Sequence, residues 1–187
     1  MTYQEYQIAA SRTCVNLSTN KANARHMKMG VMSEIGELID AYKKELAYGK
    51  TLDLINIGEE WADVSWYLAN EATRVGIQLV DETFDEELEN NIKELIEEDD
   101  IEDILWDFGF AFKTAQSNDK DNSSHVDIQD GFITWVYIGE NLLNINTNKA
   151  LENNIAKLKA RYPEKFTQEA ALNRDLDAER KELSKGL

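Results

Sequence analysis

The sequence predicts an all-α protein, and three observations predict it. Apolar residues recur with a helical period along most of the chain, proline occurs once, and the 187 residues are 42% hydrophobic. A chain of this length can bury a core of its own, so a single domain over 1–187 is expected.

Residues 3–17 (YQEYQIAASRTCVNL) read as a short amphipathic helix, and the polar stretch 18–25 as a loop. The next helix carries the stripe Val31, Ile35, Leu38, Ile39, Tyr42 and Leu46 and is broken by Gly49. After the connector TLDLINIG comes a helix striped by Ile57, Trp61, Val64, Leu68, Ala72 and Val75, with Arg74 in its last turn and Gly76 as its stop. Trp61, Trp66 and Tyr67 are expected in the core. The acidic segment DETFDEELENNIKELIEEDD precedes a helix striped by Ile101, Ile104, Leu105, Phe108, Ala111, Phe112 and Ala115. SNDKDNSS, 117–124, is a flexible loop. A helix over Asp127 to Leu143, the separator NINTN and a last substantial helix from Lys149 to Arg161 follow, and Pro163 stops regular structure. LENNIKEL at 88–95 and LENNIAKL at 151–158 share Leu-Glu-Asn-Asn-Ile and the final Leu, which suggests that 86–148 is an inserted or duplicated helical hairpin.

Net charge is −16, which argues against nucleic acid or an anionic membrane as partner. One cysteine, Cys14, fits a reducing cytosol, and no signal peptide or membrane-long apolar run is visible. A cytoplasmic protein is expected.

The chemistry concentrates in Ser33 to Asp63. Glu34/Glu37 and Glu60/Asp63 are i, i+3 acidic pairs, each able to offer two carboxylates to one cation. Chance supplies about seven such pairs in a chain this acidic, so helical phase has to decide. Glu34 and Glu37 lie about 90° and 150° to one side of their stripe, and Glu60 and Asp63 about 75° and 135° to the same side of theirs. Both pairs therefore flank a shared seam. Glu59 falls almost opposite its stripe and reads as a solvent residue. Four such oxygen ligands suit Mg²⁺, with Mn²⁺ as substitute. Asn154, Lys157 and Arg161 line one flank of the last substantial helix, a spacing at which a point charge and a planar fork can grip neighbouring phosphates. Asp127/Asp130 lie opposite their stripe and predict no second metal site. His26 is expected to be structural.

Tyr6-Gln7, Arg12-Thr13, His26, GVMSEIGELIDAYKK, GEEWADVSWYL and NIAKLKARYPEKF together resemble the MazG-like all-α nucleoside triphosphate pyrophosphohydrolases, relatives of the dimeric dUTPases. Glu34-x-x-Glu37 and Glu60-x-x-Asp63 match that family's ExxE and ExxD metal motif. The ending TQEAALNRDLDAERKEL is similar to versions common in bacteriophages, for which the compartment would be the host cytoplasm. The resemblance covers about 3–83 and 149–183. It implies a four-helix-bundle core at about 3–83 and 149–170, an inserted hairpin at 86–148 and a tail at 171–187. It implies Mg²⁺-dependent hydrolysis of a nucleoside triphosphate to a monophosphate and diphosphate, on deoxynucleotides such as dUTP or dCTP or more broadly on dNTPs. Glu34, Glu37, Glu60 and Asp63 would hold the metal, with Glu37 or Glu34 accepting a proton from water. Asn154, Lys157, Arg161 and Tyr162 would contact the substrate, and the assembly would be a homo-oligomer, a dimer.

Two other classes compete. A di-iron carboxylate bundle needs Glu-x-x-His on two helices, and His26 and His125 are instead preceded by Asn23 and Asn122. The other is a non-catalytic acidic helical protein that binds nucleotides or a partner, for which a metal quartet held in phase has no use.

Overall fold

The computed structural model describes residues 1–81, 90, 93–94, 100–117 and 125–185, the side chains of 114–117 and 125–127 excepted. Most of the repeat at 88–95, most of the acidic segment before Ile101, residues 118–124 of the expected loop 117–124 and the side chains of His125 and Asp127 lie outside the described residues, while Ser117 is helical. Described secondary structure is entirely helical: α1 Tyr3–Ser11, α2 Asn20–Tyr48, α3 Leu54–Val75, α4 Ile101–Ser117, α5 His125–Asn141, α6 Thr147–Arg161, α7 Gln168–Leu172 and α8 Leu176–Leu183.

Local chemistry fixes the ends. Thr2 caps α1 in a capping box with Glu5, and Thr13 Oγ1 turns back to the Ala10 carbonyl at 2.9 Å as the helix stops, six residues earlier than the sequence suggests. Thr19 accepts from the Ala22 amide, so α2 starts at Asn20 and takes in most of the expected loop 18–25. The cap outweighs the polar composition of that stretch. Gly49 and Gly76 end α2 and α3 at φ 62° and 81°, a conformation that costs glycine nothing. Asp53 and Asn146 cap α3 and α6. Regular structure does not stop at Pro163: Thr167 and Asp175 cap the two further helices α7 and α8.

The core is organised around α3, which packs against α1, α2, α5, α6 and α8. Of its predicted apolar stripe, Ile57, Trp61, Val64, Leu68 and Ala72 are completely buried and Val75, in the last turn, is partly so. Trp61 and Trp135 lie parallel at 6.4 Å, and each indole N–H donates to the other's carbonyl, at 3.0 and 2.9 Å. Both buried indoles are thereby satisfied without water. The segment that the sequence sets apart as an insert thus contributes Phe132 and Trp135 of α5 to the same core. Gly139 lets the two helices approach, since a Cβ there would stand 2.4 Å from Trp61 Nε1. No described helix is long and apolar enough to cross a membrane.

Candidate metal centre

A cavity of about 560 Å³ opens where α2, α3 and α6 meet the C-terminal segment. The register of α2 against α3 brings carboxylate oxygens of Glu34, Glu60 and Asp63 within 4.8 Å of one another. Glu37 lies on the same cavity wall, exposed and outside that triad. Three of the four expected metal ligands therefore converge on one point, and the fourth stands beside it.

Glu59 needs correction. It is not a solvent residue: it lines the cavity and accepts from Lys157 Nζ at 3.2 Å. Four residues along a helix turn only about 40°, so Glu59 lies close to Asp63 in angle. With α6 and α8 packed on α3 as well as α2, the side opposite the apolar stripe is not open water.

Asn154 and Lys157 are both 0% exposed and sit behind Asp63, not on the cavity wall. Lys157 Nζ reaches both oxygens of Asp63, at 2.7 and 2.6 Å, and Asn154 Nδ2 donates to Oδ1 at 2.6 Å. Tyr6 Oη in turn lies 3.1 Å from Asn154 Oδ1. This buried chain locks the Asp63 carboxylate in one orientation. Each carboxylate oxygen has two lone-pair sites, so Asp63 can be held from behind and still offer oxygen to a cation in front.

The acids crowd one another. Burial pushes the Glu60 carboxyl up from 4.5 to about 9, with the charges of Asp63 and then Glu34 adding to it. Glu34 is also raised, first by burial and then by Asp63. At neutral pH a proton on Glu60 thus does the neutralising that a divalent cation could do instead. The donor set, all carboxylate oxygen, fits Mg²⁺ or Mn²⁺.

The rest of the wall differs in character. Arg161 and Tyr162 line it as expected, and Arg161 is ion-paired with Glu179 of α8. Trp66, Tyr67, His26 and Phe166 supply an aromatic surface. Trp61 is wholly buried, whereas Trp66 and Tyr67 are only partly so and face the cavity. Trp66 Nε1 donates to Thr13 Oγ1 at 3.0 Å, and the His26 ring stands edge-on to Tyr67 at 5.7 Å with a buried Nδ1 that has no hydrogen-bond partner among the described residues. Burial lowers the pKa of His26 and so favours its neutral form. Arg174, on the turn between α7 and α8, completes the wall. The sequence reading missed Glu59, Arg174 and Glu179. Only Glu59 had a usable signal, its small angle from Asp63.

Taken together, fold and site define an all-helical protein whose carboxylate-lined cavity could hold a divalent cation. No protein-family model, no curated protein and no solved structure matches the chain.

Proposed function

We propose that the protein is a Mg²⁺-dependent nucleoside triphosphate pyrophosphohydrolase built on a four-helix-bundle core of the MazG-like type. The observation that carries this reading is the convergence of Glu34, Glu60 and Asp63 within 4.8 Å on the wall of a cavity that also presents arginine and aromatic side chains. Carboxylates alone would fit any cation. Arginine forks suit phosphate and aromatic faces suit a nucleobase, so the combination favours a nucleotide.

In the proposed reaction a water oxygen attacks the α-phosphorus, and the bond from that phosphorus to the αβ-bridging oxygen breaks. Nucleoside monophosphate and pyrophosphate result. Glu34, Glu60 and Asp63 would hold a divalent cation, which when bound would supply charge neutralisation and acidify water. The chain's own residues do the remaining work. Lys157 and Asn154 fix Asp63, Arg161 meets phosphate charge, and Trp66, Tyr67 and Tyr162 shield the cavity and offer the base a surface. Glu37, on the wall but outside the triad, is the acceptor for the proton that water loses. Deoxypyrimidine triphosphates such as dUTP or dCTP are the first substrates to assay, and a homodimer is the assembly in which the resemblance would place the site.

The test is product analysis on a panel of NTPs and dNTPs, with Mg²⁺ and with EDTA, in ¹⁸O-water. Monophosphate carrying the label, together with unlabelled pyrophosphate, is expected only with Mg²⁺. Diphosphate plus orthophosphate would overturn the reaction, and nucleotide binding without any product would favour the non-catalytic alternative.

A further inference from the structure

The cationic side of the cavity is not built from the long helices alone. Arg161 belongs to the last turn of α6, but Arg174 comes from the turn before α8, and both line the cavity. Between them lies Glu179 of α8, only 3% exposed. It accepts from Arg161 Nε at 2.8 Å and forms a second contact with Arg161 Nη2. From the other side Arg174 Nη2 and Nε donate to it at 2.7 and 3.2 Å.

One carboxylate between two guanidiniums leaves a positive charge over. Each guanidinium has five N–H donors, of which Glu179 engages two. Arg174 has no other acceptor among the described residues, and its side chain is 42% exposed. A structural ion pair for α8 needs only one arginine, and Arg180 already ties that helix to Asp53, the N-cap of α3, at 2.6 Å. Two forks held on a buried carboxylate, on the wall of a cavity whose remaining charges are acidic, make a preorganised anion clamp.

We propose that Arg174 is a phosphate-binding residue, held with Arg161 on Glu179 so that the pair grips the pyrophosphate portion of a nucleoside triphosphate. For its choice of ligand this assignment rests on the pyrophosphohydrolase reading. The acidic wall repels polyphosphate where no cation intervenes, so the far end of the phosphate chain is drawn to the arginines. Glu179 is a positioning residue, and the C-terminal segment becomes part of the binding site.

The experiment is calorimetric titration of inorganic pyrophosphate into the full chain in Mg²⁺ buffer, for wild type, Arg174→Gln, Arg174→Lys and Arg180→Ala. Wild type binds. Arg174→Gln binds about ten- to a hundredfold more weakly, the loss expected for one charge-assisted contact, and Arg174→Lys recovers part of it. Arg180→Ala, which removes only the exposed tie of α8, binds as wild type. Full affinity in Arg174→Gln, no pyrophosphate binding by wild type, or an equal loss in Arg180→Ala would overturn the assignment. Because pyrophosphate is the probe, the result is independent of turnover. Arg174-dependent binding by a protein that cleaves no triphosphate ends the catalytic reading alone, and cleavage with unimpaired Arg174→Gln ends this one alone.

Discussion

Replacing Glu60 by glutamine should make the metal-free protein more stable. Glu60 is pushed from 4.5 to about 9 by burial and by its acidic neighbours. An acid whose folded pKa is raised binds more protons folded than unfolded between those two values, so it leaves the fold progressively less stable as pH rises from about 4.5 to 9. Each pH unit across that window is worth at most about 1.4 kcal/mol, giving a ceiling of about 3 kcal/mol at pH 7. The carboxyl keeps some exposure to water and shares its titration with Glu34, so solvent and coupling reduce this to about 1 to 2 kcal/mol. Glutamine keeps the shape and removes the ionisation. In EDTA at pH 8, Glu60→Gln should melt about 2 to 8 °C above wild type, with the gap closing towards pH 5. Glu45→Gln, on the exposed side of α2, controls for net charge. A variant that melts at or below wild type at pH 8, or a gap that does not depend on pH, refutes the crowding of acids on which the metal reading stands.

Lys157→Met should cost about 2 to 3 kcal/mol in urea unfolding, because it strips the buried partner from Asp63 and Glu59, whose side chains stay 25% and 18% exposed; a change below about 0.5 kcal/mol would mean that solvent already screens the pair. Gly30→Ala would put a Cβ 2.1 Å from the Tyr67 ring, which must leave the cavity wall, so a loss of about 1 to 3 kcal/mol is expected and an unchanged melting temperature would contradict the close approach. Glu37→Gln should lower kcat by about a hundred- to ten-thousandfold with the melting curve unchanged; near-normal turnover removes Glu37 as the proton acceptor.

Helical periodicity carries far in this chain. The apolar stripe of α3 is the buried face of the central helix, and the phase of Glu34 and of Glu60 and Asp63 relative to their stripes is what brings them together. Periodicity describes one face, however, and α3 packs on five helices. That is why Glu59 lines the cavity although it lies opposite the apolar stripe, and why Lys157 is found beneath Asp63 and not on the cavity wall: a helical wheel gives angle but not the depth at which a neighbouring helix docks. The C-terminal segment shows a different limit. Thr167 and Asp175 are visible capping residues, yet nothing in a run of alternating charges says that Glu179 is buried between Arg161 and Arg174. That pairing joins residues up to 18 apart through a turn, and only tertiary docking of α8 creates it.

The claim that one cation site is shared between α2 and α3 can be measured directly by titrating Mn²⁺ and following the free-ion EPR signal. Wild type should take up Mn²⁺ saturably, Mg²⁺ should compete for it, and Glu34→Gln on α2 and Asp63→Asn on α3 should each abolish the uptake while exposed Glu45→Gln leaves it intact. Uptake that survives both substitutions would contradict the account.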